Sequence, residues 1–545
     1  MFRTQVMVLR EAVGSLGKGQ QIKLQSLPFP VPMKGVNALS AFSGLDPEEA
    51  HFMYNILPTE QGITTRLGTA EYSNDVGFAI RTMIGFVGKA DDRSGDKLFA
   101  TGDDGIYAVT SGATNVSKVF SFASANDSAG YGNYIQWTAA NGAQFIQYAD
   151  SVNGLLEYNA ASNSWAAVTA STNITETSIR FVTVHKLRIW YLTEDNGNAF
   201  YLPINAKSGS ATEFQLGSKY LNGGDTAGIF NLTQDSGDGL DDYYLAVSRA
   251  GDVLVYQGTD PSSASTWSLV GRYQVGEIPK GRKFGIEAQG DVMLLSANGL
   301  TSVKDLMLGV EAYESRRSPA SKISNLIRSR METELQTAGW EVMVYPTEGV
   351  LLIQSPERSR STDRYLHYVF NFNTAAWGFW RDVKSLSMTM LRERIYYGDS
   401  EGSIWYMVDG EDNVTLAAPA ADGTPVEFSL LTAYSSGGLP GQVKRCAVIK
   451  PIFRGVGLLG SNYQVLYDYE FEELPAIGLN STSGAIWNTA KWDAALWVGS
   501  NTTNIPYSTL GGGIGVVMAV SLRGQSTGRM TLMEITAFYE PGGVM

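Results

Sequence analysis

The chain has 545 residues, of which 44% are apolar and 11% aromatic, with 59 glycines and a formal charge of −13. That apolar content suffices for more than one hydrophobic core, and the glycines supply many turns. The acidic balance excludes a surface built to neutralise phosphates, and the single Cys446 excludes an intrachain disulfide or a cysteine-rich zinc site.

No stretch approaches the ~18 to 20 consecutive apolar residues that span a bilayer. The opening MFRTQVMVLREAVGSLGKGQQ lacks the unbroken apolar centre of a secretion signal, so a soluble chain without an export signal is expected. The negative charge still permits one relation to nucleic acid: an acidic wall lets DNA slide past without sticking.

Residues 1 to 75 show little periodicity and are expected to form an extended arm. Pro28, Pro30 and Pro32 alternate there, which holds the backbone extended and removes donors that a central strand needs. Asp46, Pro47, Glu48 and Glu49 have the order of a helix cap, a first helical proline and first-turn acids, which predicts a short helix through Tyr54.

From 76 to 415 a repeated unit takes over: a strand with period-2 alternation, a turn of Gly, Asn or Asp, and a second strand ending in aromatics. Its clearest copy is FVTVHKLRIWYLTEDNGNAFYLPINAKSGSATEFQLGS (181 to 218), turning at Glu194, Asp195, Asn196 and Gly197. Others are DKLFATGDDGIYAVT (96 to 110), DDYYLAVSRAGDVLVYQG (241 to 258), GDVMLLSANGLTSV (290 to 303), VMVYPTEGVLLIQS (342 to 355) and RERIYYGDSEGSIWYMV (392 to 408). Units a few tens of residues apart, each with an internal hairpin, predict an all-β chain with a β-propeller of about six or seven degenerate blades. One segment, 318 to 339, breaks the pattern by placing Ile323, Leu326, Ile327, Met331 and Leu335 at helical spacing after Ser318 and Pro319. It predicts an amphipathic helical insert lying on the propeller, with Lys322, Arg328 and Arg330 as its basic side. Residues 416 to 545 predict a second, C-terminal β domain. Its Trp487, Trp492 and Trp497 fit neither a strand face nor a helix stripe, which makes them candidate surface aromatics beside a core-anchoring reading.

The search for chemistry gives no catalytic, cofactor-binding or metal-ligating assignment, and the chain is expected not to be an enzyme. His51, His185 and His367 sit in three segments without a second His or Cys at ligand spacing. His185 reads as a hydrogen-bonded strand histidine. GSLGKGQ (14 to 20) has Gly19 where a phosphate loop needs Ser or Thr, and GGGIGVV (511 to 517) has no βαβ unit around it. The acidic run DSGDGLDD (235 to 242) lacks the calcium-loop order and reads as a solvated turn. GTDPSSASTWSLVGRY (258 to 273) resembles the aspartate box of sialidases in Asp260 and Trp267, but the separation is too long. It leaves a receptor-binding or glycan-active propeller as the alternative.

Several segments resemble the β-propeller nozzle or hub proteins of short-tailed bacteriophages. They are PFPVPMKGVNALSAF, HKLRIWYL with AFYLPINAKSGSATEF, DDYYLAVSRAGDVLVYQGTDPSSASTWSLVGRYQVG, IYYGDSEGSIWYMVDG, GQVKRCAVIKPIF and WNTAKWDAALW, in consistent order along most of the chain. The resemblance implies a structural virion protein in the phage tail, made in the host cytoplasm. It implies a homo-oligomeric ring, a hexamer in that family, bound to the tail adaptor and other tail proteins, through which genomic DNA passes without specific binding. Pro28, Pro30, Pro32, Met33 and Leu39 then become candidate assembly contacts, because extended segments add across a neighbour's sheet edge. Deleting 1 to 40 is expected to leave a folded protein that no longer joins the tail.

Overall fold

The alternating runs between 82 and 408 pair with their own neighbours in sequence, which is what tight Gly, Asn and Asp turns dictate. The structure is a computed structural model that describes residues 24–74, 76–109, 112, 116–169, 171–235, 240–281, 283–309, 320–356, 365–416, 423–475, 502–504, 508–509 and 513–544. The pairing yields seven small antiparallel blades whose first strands are Thr82–Phe86, Gly132–Thr138, Ile179–His185, Thr226–Asp235, Gly285–Ala288, Glu341–Tyr345 and Ser387–Leu391. These first strands touch one another in chain order, and the seventh returns to the first, so the blades close into a ring. The fold is a seven-bladed β-propeller.

Alternation in a blade strand feeds two cores. In blade 4, Leu245, Val247, Val253 and Val255 pack toward blade 5, whereas Tyr244, Ala246, Leu254 and Tyr256 pack toward blade 3. Both faces are therefore dry, and each fully buried Val or Leu contributes roughly 1.5–3 kcal/mol of transfer free energy. At the closing junction, a Cβ on Gly85 would stand 2.8 Å from the Met390 carbonyl oxygen, so only glycine lets blades 1 and 7 approach so closely there.

Two blades depart from four local strands. Blade 7 takes its outermost strand from the start of the chain, where Gly68–Ser73 pairs antiparallel with Ile404–Val408. This clasp is held by Arg66, fully buried, whose Nη1 and Nη2 donate to Asp412 Oδ1 and Oδ2 at 2.7 and 2.5 Å. Blade 5 has three strands among the described residues, and the helix Ser324–Glu334 lies against the last of them, Gly299–Ser302. Ile323, Ile327 and Met331 of the expected helical stripe are buried, while Leu326 and Leu335 are half-buried; Ser318 and Pro319 lie outside the described residues.

Apart from a short parallel pair, Ser171–Thr172 with Gly209–Ser210, the remaining strands form a two-sheet sandwich. One sheet contains Ile56–Thr59, Gly62–Thr65, Met530–Val544 and Gln442–Gly455, with Gln25–Phe29 also on Met530–Val544. The other contains Ala50–Tyr54, Val426–Thr432, Met518–Ser526 and Leu459–Tyr467. This second sheet continues blade 6 through a parallel bridge from Tyr54 to Phe379, making one eight-stranded sheet across both halves. The extended N-terminal arm thus threads the sandwich before it clasps the propeller.

Two expectations are corrected. The predicted helix through Tyr54 is absent: Asp46 makes its cap-like bonds, receiving Glu48 N at 2.9 Å, but only a turn results and Ala50–Tyr54 is a strand. Pairing with Val426–Thr432 buries Phe52 and Met53 and overrides the local signal. Deleting 1 to 40 would also remove core, because Phe29 and Val36 are 3% and 0% exposed and Pro32 is buried.

Candidate functional site

The first strand of every blade is an edge strand whose free N–H and C=O groups face the propeller axis. Side chains from adjacent blades reach them at six of the seven junctions and a Lys–Glu pair spans the other, forming a belt. Gln136 Oε1 accepts from Val87 N at 3.0 Å and its Nε2 donates to Val87 O at 2.7 Å, joining blades 1 and 2. Asn133 Nδ2 donates to Val182 O at 2.7 Å and Asn133 Oδ1 accepts from Val182 N at 3.1 Å, joining blades 2 and 3. Asn231 Nδ2 donates to Val184 O at 2.9 Å, and Asn231 Oδ1 lies 2.6 Å from His185 Nδ1, joining blades 3 and 4. Glu287 Oε1 accepts from Asn231 N at 2.8 Å, joining blades 4 and 5. Lys283 Nζ donates to Glu341 Oε1 at 2.7 Å, and Glu341 Oε2 accepts from Met388 N at 3.2 Å, carrying the belt through blades 5, 6 and 7. Ser387 Oγ accepts from Met83 N at 3.1 Å and closes it.

Inside the belt lies an axial cavity of about 540 Å³, lined mainly by apolar side chains such as Phe181, Phe230, Met343 and Met390. Its polar groups are mostly committed to the belt. Burial raises the Glu287 carboxyl above the usual carboxylate range, against the lowering effect of the Asn231 hydrogen bonds. A space of this size suits a small ligand. It does not admit a nucleic-acid duplex, so the propeller bore is no conduit.

A second recess of about 600 Å³ separates the helix Ser324–Glu334 from blade 6 and the sandwich. Arg381 stacks 3.1 Å from the Tyr54 ring centroid and donates to Glu473 Oε1 at 3.2 Å. Arg330 pairs with Glu334 at 3.6 Å, so the cations of this recess are neutralised within the chain.

Of the residues singled out from the sequence, Pro28 and Pro30 are exposed, Met33 is half-buried and Leu39 is 46% exposed, whereas Pro32 is buried and packs internally. Pro30 and Met33 share the lining of a shallow groove with Phe29 and Met533. Trp487, Trp492 and Trp497 lie outside the described residues, as do GSLGKGQ and the middle of the acidic run 235 to 242. Asp260 and Trp267 flank the turn before the last strand of blade 4, where Asp260 pairs with Arg188 at 3.3 Å and Trp267 is buried in an interblade core. His185 is hydrogen-bonded on its strand, and His367 Nε2 lies 2.9 Å from the Val383 carbonyl. No group of three or more His, Cys, Asp or Glu placed to hold a metal occurs among the described residues. The belt went unseen in the sequence, although its signal was there: a polar residue, Asn133, Gln136 or Asn231, recurs within otherwise apolar first strands.

The fold and site define a seven-bladed propeller fused through blade 6 to a β-sandwich. The sequence matches no protein-family model and no curated protein. Among solved structures, the computationally designed Ika8 protein aligns with 62% of this chain and 99% of its own, at 7% identity and a TM-score of 0.34. YCF48 bound to D1 peptide aligns with 65% and 97%, at 11% identity and 0.36. BBS1N in complex with ARL6DN aligns with 63% and 97%, at 10% identity and 0.37.

Proposed function

We propose that this chain is a structural protein of a short phage tail, a nozzle or hub whose copies form a ring that retains genomic DNA and passes it during ejection, without chemistry of its own. The observation that carries the reading is the eight-stranded sheet shared by blade 6 and the sandwich, which joins the two halves through backbone hydrogen bonds and suits a part that bears load. The sequence resemblance and the charge add to it. Six copies would carry 6 × −13 = −78 formal charges, which favours passage of DNA over capture by counterion release. Because the space inside the belt is too small for a duplex, the conduit of such a ring lies between copies. The test is native mass spectrometry with negative-stain imaging, alone and with the tail adaptor. A ring with an axial hole supports the reading, and a monomer indifferent to the adaptor overturns it.

One observation favours a second reading, a receptor-binding or glycan-active propeller: two carboxylates, Glu287 and Glu341, line one axial cavity. Glycan binding or cleavage that disappears in Glu287→Gln would replace the structural reading.

A further inference from the structure

The sandwich sheet has a gap. Gln25–Phe29 pairs with Ile535 to Tyr539 of the last strand, and Gly62–Thr65 pairs with Leu532 and Thr531 on the same side. Between them, Met533 and Glu534 meet no strand on that side among the described residues, and a bulge opposite Ile452 and Phe453 leaves Met533 unpaired on the other side as well. Met533 is 46% exposed. The gap opens into the groove of about 400 Å³ that Phe29, Pro30, Val31 and Met33 floor, with Glu48, Glu60 and Glu534 around it. Glu48 is matched by Lys34 at 3.2 Å, and Glu534 accepts from Thr536 Oγ1 at 2.7 Å and pairs with no cation shown among the described residues, which leaves the rim acidic.

The chain carries a segment of complementary chemistry. Residues 1 to 23 contain Arg3, Arg10, Lys18 and Lys23 against Glu11 alone, a formal charge of 4 − 1 = +3, so the remainder carries −13 − 3 = −16. Within it, Val6, Met7, Val8 and Leu9 form an apolar run bracketed by Arg3 and Arg10. An apolar floor with an acidic rim fits such a run laid across it, its side chains on the floor and its arginines on the rim. The strand Gln25–Phe29 runs toward the groove, and residue 24 stands before its far end, roughly 16 Å from Phe29 at strand rise. A copy's own segment must reverse direction to enter, whereas that of a neighbour need not.

We propose that the Met533 groove is the docking site for residues 1 to 23 of a second copy, the apolar run Val6 to Leu9 lying on Phe29, Val31 and Met533 and the arginines facing Glu60 and Glu534. This deepens the self-assembly in the reading above and rests on it.

The test uses full-length chains carrying Met7→Cys or Met533→Cys, one of them size-tagged, mixed and treated with a short bis-maleimide, which adds to two thiols. Cys446 stays silent because it is buried and its thiol is pushed up to about 12 by burial. The expected result is a tagged-to-untagged dimer in the mixture. Glu60→Lys with Glu534→Lys lowers its yield by about tenfold, as attractive rim pairs become repulsive, and Arg3→Glu with Arg10→Glu in the partner restores it. A yield indifferent to charge reversal overturns the proposal. So does a cross-link that forms only within a chain carrying both cysteines. If native mass spectrometry still shows a ring when cross-linking fails, this docking site falls and the ring stands; a monomer with no cross-link removes both.

Discussion

The propeller and the sandwich close by opposite routes. Six blades are built from consecutive hairpins, and the ring needs one distant strand, Gly68–Ser73, to finish blade 7. The sandwich has almost no local pairing: its strands come from residues 25 to 65 at one end and 426 to 544 at the other. The comparison teaches where cooperativity enters. Local hairpins form early and separately, whereas strands distant in sequence carry the loop-closure entropy and tie the molecule together. The arm serves both halves, so it decides whether they unfold as one.

The sharpest way to break the contrast is to cut the clasp. In Asp412→Ala the fully buried Arg66 loses both charge-assisted bonds. Leaving a buried cation unpaired costs about 3–5 kcal/mol. Chemical denaturation reads that loss, and thiol labelling of Cys446, buried in the sandwich core, reads where it is felt. Because blade 6 and the sandwich share a sheet, labelling is expected to accelerate in step with the fall in stability. Unchanged Cys446 protection in a destabilised variant would show two independent domains instead.

Acid sharpens the contrast next, since each half holds one histidine displaced by burial. His185, between blades 3 and 4, is pushed down to about 4 by burial, against the raising effect of its bond to Asn231. Its Nε2 has no hydrogen-bond partner among the described residues, and the ring sits among Tyr244 and Trp267, with Lys186 opposing its charge and Asp242 favouring it. Above pH 6.5 the imidazole is neutral whether folded or unfolded, so stability there does not depend on it. Below 6.5 the unfolded chain binds a proton that the folded chain refuses, and stability falls until the folded value near 4 is reached. At 1.36 kcal/mol per unit the loss is about 3 kcal/mol. His185→Gln is expected to flatten the denaturation midpoint between pH 6.5 and 4. His51, on the sandwich, is also pushed down to about 4 by burial, but it is partly exposed and its contribution is smaller. Equal flattening by His51→Gln would contradict the greater dryness assigned to the interblade core.

The same contrast explains what was legible in the sequence. Blade hairpins announce themselves through period-2 alternation and turn residues, because partners lie a few residues apart; SRAGDV and SANGL mark turns inside blades 4 and 5. The helix was legible from Ile323, Ile327 and Met331, which are buried as their spacing required. The clasp was not, although blade 7 offers only three strands before residue 409 and so lacks a fourth. Nor was the strand Ala50–Tyr54, where sound cap chemistry at Asp46 lost to long-range pairing with Val426–Thr432. The belt residues escaped because an Asn in a strand reads as a weakness until a neighbouring edge strand is there to receive it.

The belt gives the finest test. Asn133 reaches across to both backbone groups of Val182, so Asn133→Ala removes two hydrogen bonds from one junction of the ring. At about 1 kcal/mol for each bond, and with Asn133 only half-buried so that water can re-enter, the loss is about 1–2 kcal/mol. The role assigned to the belt makes a stricter demand on Asn133→Asp. The carboxylate keeps an acceptor for Val182 N but sets an anion against the Val182 carbonyl, where a donor is needed. A belt that satisfies edge-strand donors and acceptors together therefore predicts that Asp is no better than Ala. If Asp restores wild-type stability, Asn133 serves as a simple acceptor, and the ring is held by its interblade cores without the belt.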